Sequence, residues 1–204
     1  GIEVDGILLS LDGGDNWNRV SSIPDDDIHC MLINKSNGSQ VLALTPRDLY
    51  VSTDMGEVWE PMGMDLYRSA NKDAHYMRWI TPKPDDPNIL FLGCGNFNVG
   101  DTGSLFKSTD CGKTWRKLTL PTPSTNSTVF GIATNAAMPD RVAACTVNGE
   151  VWISEDVGES WRRIQQIFGE ILCIALQPNS QDKPMIYNAS GTQALLGGEI
   201  QRPT

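Results

Sequence analysis

Ser108–Trp115 reads STDCGKTW, and the chain repeats its pattern three more times: SLDGGDNW at Ser10–Trp17, STDMGEVW at Ser52–Trp59 and SEDVGESW at Ser154–Trp161. The shared pattern is Ser-x-Asp-x-Gly-x-x-Trp, with starts 42, 56 and 46 residues apart. A period in that range marks a repeated supersecondary unit rather than a set of active sites. Each copy follows a short apolar run (Ile7-Leu8-Leu9, Leu49-Tyr50-Val51, Leu105-Phe106-Lys107, Val151-Trp152-Ile153) and leads into a second run with a polar start. Two strands around a polar, Gly-containing segment read as a hairpin. Gly14, Gly56, Gly112 and Gly158 are expected at the positive-φ position of each turn. Asp12, Asp54, Asp110 and Asp156, with Ser10, Ser52, Ser108 and Ser154 beside them, are expected to satisfy backbone N–H groups there. Trp17, Trp59, Trp115 and Trp161 open the outgoing strands and supply large areas for burial.

Outward from these turns, the chain divides into units. Residues 1–20 form an incomplete unit, with Gly1 expected partway through a second strand. The next unit predicts strands over 28–33, 40–45, 48–52 and 58–62, with an Asn37-Gly38 hairpin signal between the first two. The third unit predicts 76–81, 89–93, 104–108 and 114–118, with a Pro-rich turn at 82–87. It carries insertions at 63–74 and 95–103, the latter being GNFNVGDTG. The fourth predicts 129–134, 141–146, 150–154 and 160–165. A fifth begins at 172–176, with 185–187 as its second strand. Residues 1–190 are expected to make one domain or part of one, and 191–204 a flexible tail.

The octapeptide resembles the Asp-box, or BNR repeat, of sialidase-like β-propellers, and all four copies carry it. That resemblance implies an all-β fold: four-stranded antiparallel blades, about four in this chain. Either the chain closes as a small ring, or it belongs to a six- to eight-bladed propeller that a missing segment or a second copy would close. Proteins of this kind include sialidases, xyloglucan-cleaving glycosidases, sortilin-type receptors and a photosystem II assembly factor, so the resemblance implies architecture more firmly than activity. It also places the Asp-box turns away from the ligand face, which makes their aspartates structural. Calcium does not suit these turns, since each offers one or two carboxylates where the ion takes six to eight oxygens.

Composition narrows the classes. A net charge of −9 lacks the basic footprint of a nucleic-acid binder. No apolar run reaches the roughly 18 residues of a membrane span. Cys30, Cys94, Cys111, Cys145 and Cys173 show no CxxC spacing and read as small apolar core residues. Asn34, Asn37, Asn126 and Asn188 begin Asn-x-Ser/Thr triplets, which matter only in a secreted protein. No signal peptide is visible in the residues given, and a cytoplasmic location is favoured over secretion. No cofactor motif is present.

By the same resemblance, ligands bind on the face built by lead-ins to first strands and by second-to-third connections. The lead-ins supply Asp25, Asp26, Asp27, His29, Asp73, His75 and Glu170. The second-to-third connections supply Arg47, Asp48, Asn96, Asn98, Asp101, Asn148 and Glu150, while Arg78 and Trp79 lie inside a first strand. His29 and His75 occupy matching positions in their units. They read either as metal ligands, with Asp27 or Asp73 as a third, or as hydrogen-bonded histidines at strand starts. The Asp25–Asp27 run reads as a solvated turn, or as the acid and base of a glycosidase. Asn96, Asn98 and Asp101 suit sugar hydroxyls. Sialidases imply an arginine triad, for which Arg47, Arg78 and Arg141 are available, and an Arg-Ile-Pro motif, which the chain lacks. The expected function is a binding or scaffold module acting through its loop-rich face on a protein, small-molecule or glycan ligand. Its candidate ligand-binding residues are His29, Arg47, His75, Arg78, Asn96, Asn98 and Asp101. The alternative is a sialidase-like glycoside hydrolase, for which Asp27, His75 and Arg78 are the catalytic candidates.

Overall fold

A computed structural model describes residues 1–34, 38, 40–64, 75–122 and 124–176, together with the backbone of 185–187 and 193–195. These form five antiparallel sheets in chain order. The first is the hairpin β1 (Ile7–Leu9) and β2 (Asn18–Val20). The second runs through β3 (Cys30–Ile33), β4 (Val41–Leu44), β5 (Leu49–Ser52) and β6 (Glu60–Pro61). The third runs through β7 (Tyr76–Pro82), β8 (Leu90–Gly95), β9 (Gly103–Ser108) and β10 (Arg116–Lys117). The fourth runs through β11 (Val129–Asn135), β12 (Met138–Thr146), β13 (Val151–Ser154) and β14 (Arg162–Arg163). The last has β15 (Cys173–Ala175), β16 (Met185–Tyr187) and β17 (Gln193–Leu195). Each sheet is an up-and-down meander, as in the blades of a β-propeller.

The middle strands show why the sheets stack. In β4, Leu42 and Leu44 face the third sheet, while Val41 and Ala43 face the first. In β12, Val142 and Ala144 join the core shared with the third sheet, and Ala143 and Cys145 that shared with the fifth. Successive side chains of a strand point to opposite faces. A sheet buried on both sides therefore reads as a continuous apolar run, and each sheet-to-sheet gap holds its own cluster. Cys94 and Cys145 are such core residues, and all five cysteines are free thiols.

The four octapeptide turns repeat one hydrogen-bond network. In the third sheet the Ser108 hydroxyl donates to Asp110 Oδ1 at 2.8 Å and accepts the Gly112 N–H at 2.8 Å. Asp110 Oδ1 also accepts the Thr114 N–H at 2.8 Å, and the Trp115 indole donates to the Gly112 carbonyl at 2.8 Å. The other three copies repeat all of these bonds. The four glycines have positive φ, and so do the residues before them, Gly13, Met55, Cys111 and Val157. The non-glycine members hold a left-handed conformation that side chains disfavour, so the turn over-determines its backbone.

Several sequence expectations change. Residues 1–5 are not part of a second strand: Ile2 and Gly6 form a bridge around a tight turn, and Gly6 donates to the Asp26 carbonyl at 2.7 Å. The outermost strands are two or three residues long, because the octapeptide network occupies the residues before them. The expected tail contains β17, which pairs with β16 and extends the last sheet. The Asn37-Gly38 signal, Asp73 and most of the 63–74 insertion lie outside the described residues. Among the described residues, no strand of the first sheet pairs with one of the last. No helix there is long and apolar enough to cross a membrane.

Candidate functional site

In an up-and-down meander the turns alternate between two ends. The octapeptides and the first-to-second connections share one end, and the lead-ins to β3 and β7 share the other with the β4–β5 and β8–β9 loops. At that second end lies a cleft of about 610 Å³ lined by Pro24–Asp27, Pro46, Arg47, Tyr50, His75, Tyr76, Asn96 and Phe97. It brings together sequence candidates from the second and third sheets: Asp25, Asp26, Asp27, Arg47, His75 and Asn96. Phe97 is 72% exposed beside it.

Close approach of backbones builds one wall. A Cβ on Gly95 would meet Thr128 Oγ1 at 1.9 Å and Thr128 Cα at 2.7 Å, so only glycine lets the third and fourth sheets come this near. Thr128 then donates its hydroxyl to the Phe97 carbonyl at 2.5 Å and its N–H to the Val99 carbonyl at 2.8 Å, fixing the β8–β9 loop. Within that loop the Asn96 amide donates to Asp101 Oδ1 at 2.7 Å, and the Asp101 N–H returns to Asn96 Oδ1 at 3.2 Å. Asp101 therefore shapes the loop, and neither it nor Asn98 lines the cleft. The opposite wall is set by Asp25, whose Oδ1 accepts the Asp27 N–H at 3.2 Å.

Beneath the cleft lies His29, whose side chain is wholly buried. Its Nδ1 is 2.6 Å from the Met77 carbonyl. Its Nε2 is 3.3 Å from Asp27 Oδ1 and 3.3 Å from the Tyr76 hydroxyl. Burial raises the Tyr76 pKa, helped by the Asp27 and Glu3 charges and opposed by Arg78. Arg78 is the extra residue of a bulge between Met77 and Trp79. Its guanidinium lies 4.4 Å over Phe130, which is the extra residue of the matching bulge in β11. A bulge re-aims its side chain out of the ladder, and here two adjacent inner strands use the device to stack a cation on a ring. Trp79 turns instead into the core between the third and fourth sheets.

Other candidates are not assembled. His75 lies in the cleft while His29 lies beneath it, and the carboxylates within ligand distance of His29 belong to Asp27 and Glu3. Sequence reasoning missed Glu3 because residues 1–5 read as strand; the available signal was Asp5-Gly6, a turn dipeptide. Arg141 pairs with Glu155 at 2.7 Å beside an octapeptide, so the expected arginine triad does not form. Asp48 accepts the Leu49 and Met64 N–H groups, and Glu150 binds Arg163 and the Asn126 N–H. Asn148 is bonded to Asn126, and Glu170 is exposed outside the cleft lining. A second cleft of about 650 Å³ runs along β9 and residues 117–122, 124 and 125, with Lys117 as the one ionisable side chain among its described lining residues. Its chemistry is poorer.

Residues 5–119 match the family model described as sortilin, neurotensin receptor 3. The chain belongs to the Sortilin-Vps10 family. It is also 24% identical to the xyloglucanase Xgh74A of Acetivibrio thermocellus, over an alignment of 145 residues covering 59% of this Sortilin-Vps10 chain and 16% of that enzyme. Among solved structures, a GH74 enzyme of Niastella koreensis is similar over 92% of this chain and 32% of its own, with TM-score 0.72 and 15% identity. The YCF48 protein bound to a D1 peptide is similar over 98% of this chain and 64% of its own, with TM-score 0.64 and 15% identity. These likenesses establish the β-propeller fold. The chain spans about a sixth of the length of the xyloglucanases it matches.

Proposed function

We propose that the chain is a non-catalytic β-propeller binding module whose cleft takes an extended peptide segment carrying a basic side chain. The supporting observation is the make-up of the cleft: Asp25, Asp26 and Asp27 outnumber its one arginine, Arg47, and share the lining with His75, Tyr50, Tyr76 and the exposed Phe97. An acidic wall in a chain of net charge −9 attracts a cation, and aromatic faces hold its aliphatic stem. The face is opposite the octapeptides, as the Asp-box resemblance implies, and the similar YCF48 structure is a peptide complex.

Glycoside hydrolysis is the second reading, favoured by the likeness to xyloglucanases. It needs two carboxyl groups on either side of a scissile bond, roughly 5 to 9.5 Å apart. Among the described lining residues every carboxylate comes from Asp25–Asp27, on one wall.

Fluorescence titration with basic and acidic decapeptides, beside incubation with xyloglucan oligosaccharides, tests the choice. The double variant D25N/D26N keeps the Asp25 acceptor and removes two charges. It and Phe97→Ala should each weaken basic-peptide binding about tenfold without changing Tm. Xyloglucan turnover abolished by Asp27→Asn would overturn the reading in favour of the hydrolase.

A further inference from the structure

At the edge of the cleft, three ligand-bearing side chains converge, the buried His29, the partly exposed Asp27 and the exposed Glu3: one ligand atom of each lies within 4.8 Å of the others. We infer that they bind a divalent transition metal ion of the zinc type, through His29 Nε2 and carboxylate oxygens of Asp27 and Glu3.

The ring orientation carries the first step. A carbonyl only accepts, so the Met77 carbonyl at 2.6 Å from Nδ1 requires a proton on Nδ1. In the neutral ring Nε2 then presents its lone pair, with the Tyr76 hydroxyl and Asp27 Oδ1 each 3.3 Å away. Metal-ligating histidines commonly have the second nitrogen held in this way by a backbone carbonyl. Burial of the whole imidazole side chain fixes it in place.

The second step is the unmet demand of Asp27. Its Oδ1 is buried and has no hydrogen-bond partner among the described residues. A buried acceptor facing another acceptor lacks a cation or proton between them. Two ligands on a tetrahedral ion with bonds of about 2.0–2.2 Å stand roughly 3.4 Å apart, close to the observed 3.3 Å. Glu3 closes a third side from the 1–6 turn, which is tied to Asp26 through the Gly6 N–H. It is also 3.8 Å from Arg78 Nη1, a loose contact that a metal–carboxylate bond would replace. One imidazole and two carboxylates form a donor set for borderline ions rather than for calcium, which takes only oxygen. Tyr76, with its hydroxyl 3.3 Å from Nε2, borders the site toward the cleft.

This inference does not rest on the peptide reading, and its test uses no peptide. Zn²⁺ titrated calorimetrically into metal-free protein should bind with one-to-one stoichiometry and micromolar or tighter affinity. Co²⁺ should give the visible absorption of a low-coordinate nitrogen–oxygen site. His29→Gln and Asp27→Asn should each weaken Zn²⁺ at least tenfold, Glu3→Gln less, and Glu60→Gln, on outermost β6, not at all. Should His29→Gln unfold the protein, the shift of wild-type Tm with Zn²⁺, and its loss in Asp27→Asn, reads the same site. No saturable uptake by the wild type, or equal uptake by Asp27→Asn, overturns the proposal.

Discussion

At the scale of the residue, the octapeptide aspartates are held as anions by the turn they organise. The Asn16 side chain and N–H, with the Ser10 hydroxyl, pull the Asp12 pKa down to about 2. The Ser160 hydroxyl and N–H, with Ser154, bring Asp156 to about 2 from an ordinary 3.8. Asp54 is lowered chiefly by the Val58 N–H. Burial works against the shift at Asp110, and the Thr114 hydroxyl and N–H outweigh it. A carboxylate whose folded pKa is depressed stabilises the fold above its unfolded value, and that share disappears as pH falls through the folded value. Denaturation midpoints should therefore drop between about pH 4 and pH 2 beyond what net charge alone causes. Asp156→Asn should be less stable at pH 7 and show a flatter profile in that acid window; parallel profiles for the two proteins would refute this assignment. The network was legible from the sequence because Ser, Asp, Gly and Trp recur at fixed offsets. The partners of His29 were not: the Met77 carbonyl and Glu3 come from 48 residues on and 26 residues back, joined only by the stacking of sheets.

At the scale of the element, the tryptophans act between sheets rather than within hairpins. Trp59, Trp115 and Trp161 belong to the cores shared with the preceding sheet and are 5%, 7% and 9% exposed. Trp17 makes the same indole bond to its turn yet is 59% exposed, since no earlier sheet lies against it among the described residues. Four identical motifs thus separate into two energetic classes. Trp115→Ala should cost about 3–5 kcal/mol in chemical denaturation, while Trp17→Ala should stay within about 0.5 kcal/mol. Equal losses at both positions would mean that the turn, not the neighbouring sheet, sets the contribution. Inner and middle strands were legible by their apolar runs. Outer strands were overestimated because polar residues after each Trp match a strand pattern, although the turn network leaves only Arg116–Lys117 and its counterparts to pair. The bulges at Arg78 and Phe130 carry no local signature. They follow from the geometry of the innermost strands.

At the scale of the molecule, five meanders in chain order give two unlike ends. One carries the octapeptides, whose polar groups bond among themselves and to adjacent sheets, as when Lys107 Nζ donates to the Val157 carbonyl and Glu159, each at 2.8 Å. The other carries loops of unequal length, with the acidic and aromatic cleft between two of them. Repetition conserves a scaffold, and departures from repetition supply the chemistry; the 95–103 insertion, which brings Phe97, is the clearest of these. The account therefore separates stability from recognition in space. The most direct test is a paired measurement of Tm and basic-peptide affinity on D25N/D26N at the cleft and on Asp156→Asn at an octapeptide. The account predicts about tenfold weaker binding at unchanged Tm for the first, and a lowered Tm at unchanged affinity for the second. Lost affinity in Asp156→Asn, with D25N/D26N binding like the wild type, would contradict it.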